Sequence, residues 1–215
     1  HAAADFDAFT FPATAGDRVL LTALSTGGTS HNTNIVLYPP GGGAPVYNSG
    51  TGDRMDQQLA QTGTYTAVIE DWLIDHTGTY AVTLLNVTAG PHTDGSDPEG
   101  GAITSAQVKT GTYTIPDFDA YTFTGTTGDR VVMGNVATGA GSHDTVVYLY
   151  PPGGGAPVVA SGSDRTEVQL GATGTYTLVT EASGGNSAGA YTVSLLNVTA
   201  GPLSDAADQD GGPLA

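Results

Sequence analysis

The sequence predicts an all-β protein made of two tandem antiparallel β-sandwich domains of jelly-roll-like or immunoglobulin-like type. Three observations carry that expectation. The chain repeats itself at a domain-sized interval, each repeat is a run of short alternating segments, and the composition suits strands joined by tight turns. Of 215 residues, 32 are Gly and 12 are Pro, hydrophobic residues make up 39%, and Thr is frequent. Beta-branched residues fit a pleated, half-buried surface, whereas so much Gly and Pro leaves little room for packed helices. Helix is not expected beyond a turn or two.

The duplication is the strongest signal. Asp5-Phe6-Asp7-Ala8-Phe9-Thr10-Phe11 returns 112 positions later as Asp117-Phe118-Asp119-Ala120-Tyr121-Thr122-Phe123. Gly16-Asp17-Arg18-Val19 returns as Gly128-Asp129-Arg130-Val131, and Tyr38 through Val46 returns unchanged as Tyr150 through Val158. Gly63-Thr64-Tyr65-Thr66 matches Gly174 through Thr177, and Leu84 through Pro91 returns as Leu195 through Pro202, now offset by 111. A period above one hundred residues is the size of a domain rather than of a solenoid repeat. We place the first repeat at 1–93 and the second, with the linker before it and a connector tail after it, at 94–215.

Within each repeat the elements follow in order. Strands are expected near Arg18–Leu24, Asn34–Tyr38, Met55–Ala60 and Thr64–Glu70, with counterparts in the second repeat. Tyr80, Val82 and Leu84 alternate with Ala81 and Thr83, and Tyr191, Val193 and Leu195 with Thr192 and Ser194, as in a strand with one buried face. The doublets Leu84-Leu85 and Leu195-Leu196 interrupt the alternation, as a β-bulge would. Pro-Pro-Gly-Gly-Gly cannot lie inside a central strand, so both copies are expected to be hairpin connections. Seven or eight short strands per repeat make a sandwich or jelly roll.

The order D-x-D-x-F/Y-x-F, A-G-D-R-V, L-Y-P-P-G-G, G-T-Y-x-x-x-I/V-E and G-x-Y-x-V-x-L resembles the bacterial pre-peptidase C-terminal (PPC) domains, over nearly the whole of both repeats. The resemblance implies non-catalytic sandwich modules attached to exported proteins. It further implies calcium bound near the start of each domain, and substrate bound through surface aromatics. No peptidase region accompanies the repeats here.

Charge narrows the partners. A formal net charge of −16 with five Lys and Arg, Lys109 being the single lysine, cannot neutralise a row of phosphates, so nucleic-acid binding is excluded. The same charge opposes anionic membranes and favours divalent cations, and no apolar run is long enough to span a bilayer. With no Cys, disulfides, thiolate metal sites and thiol nucleophiles drop out. The chain opens on His1, so a signal peptide is expected to be removed or to lie outside this segment. This composition reads as that of an exported bacterial protein, extracellular or on the cell surface.

The two ends carry further information. Ser96 through Ile103, then a polar strand as far as Ile115, precede Asp117 in the second repeat, whereas only His1 through Ala4 precede Asp5 in the first. The first repeat therefore lacks its version of the Ala102–Ile115 strand. The C-terminal Ser204 through Ala215 matches the start of that connector. A sandwich short of an edge strand exposes unpaired backbone groups and invites a strand from another chain. Two explanations fit: the chain is trimmed from a longer array, or copies join head to tail. In the second, Gly211, Gly212, Pro213, Leu214 and Ala215 of one copy dock on the first repeat of the next, and such a joint builds a filament.

Candidate chemistry centres on acids. Asp94, Asp97 and Glu99 precede the second repeat, and Asp205, Asp208 and Asp210 follow it. Hard cations such as Ca2+ take several oxygen ligands from flexible segments, and a solvated acidic linker is the plainer alternative. Asp7 and Asp119 share strand parity with the aromatic residues after them, so each is expected on the core-facing row. A carboxylate there needs a partner, and Arg18 and Arg130 are the candidates. Should a cation bind, Asp117 and Asp119 would share its site with the linker acids. Gly185-Asn186-Ser187-Ala188-Gly189 matches the nucleophile-elbow pattern but lies between two strands with no histidine after it, so it reads as a loop. His31 and His143 are equivalent under the duplication and read as residues that fit the fold. Trp72 occurs in the first repeat alone, where it either covers the sandwich end or stacks on a ligand. Asn86-Val87-Thr88 and Asn197-Val198-Thr199 read as strand ends that satisfy backbone groups.

Two functions from different classes follow. One is a non-catalytic extracellular structural protein whose repeats assemble head to tail into a surface fibre. The other is an accessory module that holds a secreted hydrolase on a protein or polysaccharide polymer. No acid–base or nucleophile set converges in the sequence, so an enzyme is not expected.

Overall fold

The computed structural model describes residues 2–93, 95–139, 143–207 and 209–214. The protein is all-β, with one 3₁₀ turn at Ser183–Gly185, and it divides into unit 1, residues 1–90, and unit 2, residues 91–215.

Unit 1 contains seven strands: β1 (Asp7–Ala13), β2 (Arg18–Gly27), β3 (Thr33–Tyr38), β4 (Tyr47–Asn48), β5 (Arg54–Gln58), β6 (Gly63–Asp71) and β7 (Thr79–Asn86). They form two sheets, ordered β1-β6-β3-β4 and β5-β2-β7, with every pairing antiparallel. Strand β2 runs through the middle of its sheet, so its apolar stretch Val19 through Leu24 is buried throughout. The inner faces enclose Phe11, Val19, Leu21, Ile35, Leu37, Met55, Tyr65 and Ile69. Phe11 and Tyr65 stack with centroids 5.8 Å apart, which contributes on the order of 1 kcal/mol beyond the area buried.

Unit 2 repeats this plan and adds to it. Its strands are β8 (Gly100–Ala102), β9 (Gln107–Tyr113), β10 (Asp119–Gly125), β11 (Arg130–Thr138), β12 (Thr145–Tyr150), β13 (Val159–Ser161), β14 (Arg165–Gln169), β15 (Gly174–Ala182) and β16 (Gly189–Asn197). The sheets are ordered β13-β12-β15-β10-β8 and β14-β11-β16-β9, so each has one strand more than its counterpart in unit 1. The two additions are the strands that come from the linker.

The polar strand expected from Ala102 to Ile115 is thus two strands in opposite sheets. Thr104 through Ala106 make the turn between them: the Thr104 amide bonds Gln107 Oε1 at 3.1 Å, and Ala106 takes a left-handed φ of 68°. Strand β8 lies parallel to β10, with Gly100, Gly101 and Ala102 opposite Ala120, Tyr121 and Thr122. Strand β9 runs antiparallel to β16. Ile103, which follows β8, and Tyr113, which ends β9, are both buried in the unit 2 core.

Other expectations can be checked strand by strand. The Pro-Pro-Gly-Gly-Gly segments do connect the hairpins β3–β4 and β12–β13, using left-handed glycines. The Leu-Leu doublets do not form bulges. Register runs unbroken through Leu84 and Leu85 against β2, and through Leu195 and Leu196 against β11. The one irregularity in β2–β7 falls between Ser25 and Gly27. Arg18 and Arg130 do not pair with the core-row aspartates either. Arg18 Nε bonds Asp56 at 2.5 Å and Arg130 lies 3.4 Å from Glu167, because each arginine projects across to the adjacent strand of its own sheet. The Asn residues behave as expected at strand ends: Asn86 Oδ1 accepts the amides of Thr88 and Ala89, and Asn197 Oδ1 those of Thr199 and Ala200.

Candidate functional site: an acidic pocket and an open edge

Parallel pairing of β8 with β10 brings linker acids beside strand acids. Asp97, Glu99 and Asp119 each place a carboxylate oxygen within 4.8 Å of the other two. Asp117 adds a fourth charge nearby, its Oδ2 accepting the Thr114 amide at 2.8 Å. Asp119 occupies the core-facing row and is completely buried, yet neither of its oxygens has a hydrogen-bond partner. Burial, reinforced by the charges of Asp117, Asp97 and Glu99, pushes its carboxyl up to about 8, and the neighbouring Tyr191 hydroxyl opposes this only in part. That hydroxyl is engaged with Tyr121 at 2.7 Å. Asp97 is likewise pushed up to about 7, first by burial and then by Asp117 and Glu99. A cavity of about 320 Å³ lined by Glu99, Gly100, Lys109 and Tyr121 opens beside the group.

Two orphaned carboxylate oxygens facing two further acids is an expensive arrangement for bare charges. A hard divalent cation would remove the cost, because it takes oxygen ligands in a loose geometry and supplies the missing positive charge. These residues fit such an ion.

Of the remaining linker and tail acids, Asp94 and Asp208 lie outside the described residues. Asp205 accepts the Ala207 amide at 2.7 Å in a local turn, and Asp210 is exposed. Neither belongs to a ligand cluster among the described residues. Gly211 through Leu214 form no strand, and Leu214 is 100% exposed, while Ala215 lies outside the described residues.

The second feature is the edge of unit 1 that corresponds to the filled edge of unit 2. Asp119, Ala120 and Tyr121 are buried beneath β8 and β9, whereas Asp7 is half-buried and Ala8 and Phe9 are exposed. Phe9 is 43% exposed where Tyr121 is 1% exposed. Tyr80 and Val82 are half-buried where Tyr191 and Val193 are fully buried, and Leu84 is 41% exposed where Leu195 is 3% exposed. In unit 2 Tyr113 of β9 covers this corner, stacking on Tyr191 at 4.3 Å. In unit 1 the Tyr80 hydroxyl instead donates to Asp7 Oδ2 at 2.6 Å, which with burial raises the Tyr80 pKa.

The tail reproduces the linker in backbone as well as in sequence. Gly90 and Gly201 both have φ of 70°, and each donates to the carbonyl of the strand-end Asn at 2.9 Å. A Cβ on Gly100 would lie 2.3 Å from the His92 carbonyl oxygen, and one on Gly211 would lie 2.0 Å from that of Leu203, its equivalent. Only glycine allows that approach, and Gly101 and Gly212 follow with φ of 79° and 110°. The difference lies in what comes next. Gly100 also abuts the Ala120 carbonyl of its acceptor strand, whereas the atoms nearest Gly211 belong to Leu203 and Ser204, and Asp210 and Gly211 line a cavity of about 290 Å³ with Val108 of β9, Val132 of β11 and Ser194 through Leu196 of β16. Ser105 Oγ holds the base of the tail by donating to the Pro202 carbonyl at 2.6 Å.

A third cluster was not anticipated. Asp71, buried at the end of β6, accepts the amides of Asn32 and His76, and His76 Nδ1 lies 3.2 Å from Asp71 and 2.8 Å from Asp75. Burial alone would raise the Asp71 pKa, but these hydrogen bonds and the imidazole hold it down at about 2. The five-residue spacing in a loop found only in the first repeat was the available signal. Its carboxylates are satisfied, so it reads as a structural brace. His31 and His143 are buried against Gly78 and Gly189, where a Cβ would strike the ring. Ser187 sits in a glycine-rich loop and reaches Asn186 at 3.4 Å. Trp72 is 44% exposed and packs over Gly50.

These features are those of an all-β chain with two sandwich-like halves, the second carrying two strands that the first lacks over the described residues. No family model and no curated protein matches the chain, so the PPC resemblance stands on the quoted motifs alone. Several solved structures are similar in part. A periplasmic inhibitor of g-type lysozyme from Aeromonas hydrophila aligns over 46% of this chain and 95% of its own, at 14% identity and a TM-score of 0.38. The tandem CBM51 modules of a family 98 glycoside hydrolase from Streptococcus pneumoniae align over 88% and 81%, at 10% identity and 0.32. The CUB1-EGF-CUB2 region of human MASP-1/3 aligns over 91% and 94%, at 8% identity and 0.25. At scores this low the likenesses bear on neither the binding nor the assembly of this chain.

Proposed function

We propose that this chain is a non-catalytic extracellular structural protein that assembles head to tail by strand complementation. One observation carries the reading: the tail repeats the sequence and backbone of the segment that completes unit 2, and unit 1 leaves open the edge that such a segment fills. In the joint, Gly211, Gly212 and Pro213 of one copy run parallel to Ala8, Phe9 and Thr10 of the next, as Gly100, Gly101 and Ala102 do beside Ala120, Tyr121 and Thr122. Leu214 then takes the place of Ile103, which is 1% exposed in unit 2. Burying a leucine side chain contributes about 1.5–3 kcal/mol, and ladder hydrogen bonds about 1 kcal/mol each. The tail is already bent for docking, so little conformational entropy is lost. A joint that does not close on itself makes a filament.

A divalent cation, Ca2+ being the natural one for an exported protein, belongs to this reading. Asp97, Glu99 and Asp119, with Asp117 beside them, would hold it and fasten the short β8 to the sandwich.

The chain has no cysteine, which allows a test specific to register. A variant with Thr10→Cys and Pro213→Cys should form an intermolecular disulfide ladder under mild oxidation, since paired strand positions meet disulfide geometry. Pairing Thr10→Cys instead with Val158→Cys, exposed but outside the tail, should not. Negative-stain microscopy should show uniform fibres for the native chain and none for Leu214→Asp. Monodisperse particles and no ladder under every condition would reject the reading. That result would favour a polymer-binding accessory module, for which exposed Phe6 and Trp72 on unit 1 are the supporting observation.

A further inference from the structure

We infer that the outer face of the sheet β14-β11-β16-β9 in unit 2 is a docking surface for a second copy of this chain, and that Phe6 of that copy is the side chain it receives. The inference rests on the head-to-tail reading and adds an apolar contact to the strand joint.

The observation is a second contrast between the repeats, on the side of the sheet away from the core. In β2 the residues Val19, Leu21 and Ala23 belong to the unit 1 core, so Leu20 and Leu24 lie on the outer row, with Leu85 paired to Leu20. All three are nonetheless buried, and Val87, just beyond β7, is 1% exposed. In unit 2 the equivalent outer row is Val132, Val136 and Leu196, with Val108 of β9 alongside. Here Val132 and Leu196 are half-buried, Val108 and Val136 are exposed, and Val198, the counterpart of Val87, is 44% exposed. The cavity of about 290 Å³ lies on this face, lined by Val108, Val132, Leu196 and Leu203 together with Asp210 and Gly211 of the tail. The end repeat of an array stays soluble by presenting a polar outer face, and this one presents valines and leucines.

Phe6 is the reciprocal feature. It is 56% exposed, whereas its counterpart Phe118 is 7% exposed. The register of the proposed joint brings the two together. Parallel pairing that sets Gly211 opposite Ala8 sets Asp210 opposite Asp7 and Gln209 opposite Phe6, following the pairing of Gly100 with Ala120. At about 3.3 Å per residue, Phe6 then falls within about 7 Å, along the strand, of the glycine that lines the cavity.

Area and charge both call for such a contact. The paired tail residues and Leu214 fall well short of the roughly 1,200 Å² that a specific, stable interface buries. Copies that each carry a net charge of −16 also repel. An aromatic ring seated among aliphatic side chains supplies the missing area without adding charge.

The test places a photoreactive benzoylphenylalanine at Phe6 in the full chain and irradiates it under assembly conditions. The expected result is crosslinked dimers and longer ladders, with the attachment mapped by mass spectrometry to peptides holding Val108, Val132, Leu196 or Leu203. Sedimentation velocity should show Phe6→Ala and Val108→Asp each raising the chain concentration for half assembly by about tenfold or more. Leu203→Asp, outside any strand, should do the same. All three positions are exposed, so the melting curve of the dilute chain should not move. The Thr10→Cys, Pro213→Cys ladder should still form in each background at high concentration. An intact ladder and fibres that respond to none of the three, with crosslinks elsewhere or confined to one chain, would overturn the docking face and leave strand complementation standing. No fibres and no ladder under any condition would overturn both.

Discussion

Two copies of one sandwich, read side by side, show what a pair of short strands does. Unit 2 carries β8 and β9, and its corner residues Tyr121, Tyr191 and Leu195 are buried. Unit 1 has neither strand over the described residues, and the equivalents Phe9, Tyr80 and Leu84 stand partly or largely in solvent. The inner sequences are nearly interchangeable, so the difference is not one of hydrophobic pattern. An apolar residue on the correct row of a strand is buried only if something lies across it. An edge strand therefore closes the core as well as extending a sheet.

The largest break in that comparison should come from Tyr113→Ala. It removes a fully buried ring stacked on Tyr191 and should cost unit 2 about 3–5 kcal/mol, read from the denaturant midpoint of its transition. Ile103→Ala should cost about 2–5 kcal/mol in the same assay. Its tail counterpart Leu214→Ala should change the stability of the chain by less than about 0.5 kcal/mol, because Leu214 is fully exposed. If the two substitutions cost the same, the tail already occupies a core.

The acidic pocket sharpens the comparison through pH. Asp119 folds with its pKa raised to about 8 from an ordinary value near 4. The folded state therefore binds more protons than the unfolded state across that window, and stability falls as pH rises from about 4 to about 8. In chelator, thermal melting of unit 2 should drop over this range, and Ca2+ should abolish the drop. Unit 1 carries a different buried carboxylate. It has the opposite dependence at lower pH: Asp71, held at about 2, keeps its contribution above the ordinary carboxylate range and loses it as pH falls from about 4 to about 2. The Asp71→Asn variant should remove that acid limb. Phe9→Ala should cost about 1 kcal/mol or less, where Tyr121→Ala costs several.

Much of this was legible in the residues. The duplication, the hairpins at Pro-Pro-Gly-Gly-Gly and the absence of helix follow from spacing, proline and glycine, which act locally. The gathering of linker acids with Asp119 was readable as a conditional, since strand parity put Asp119 on the inner row. Other features were not. The Leu-Leu doublet reads as a bulge, yet the register stays regular, because Leu84 lies on an open row and Leu85 is buried at 6% exposure on the other face. The arginines after Gly-Asp looked like partners for the core-row aspartates, but cross-strand neighbours took them. Such pairings depend on which strand lies alongside, and no local pattern states that.

By itself the sequence determined two all-β repeats, their strong negative charge and the repetition of the linker motif in the tail. Each of these is a property of composition or of residues near one another in the chain. The tertiary structure decided that the linker supplies two strands to opposite sheets, that parallel pairing of three residues assembles the acids, and that these strands cover in unit 2 a corner that is exposed in unit 1 over the described residues. Those outcomes depend on contacts between residues far apart in sequence, where burial and strand neighbours are chosen by packing rather than by propensity.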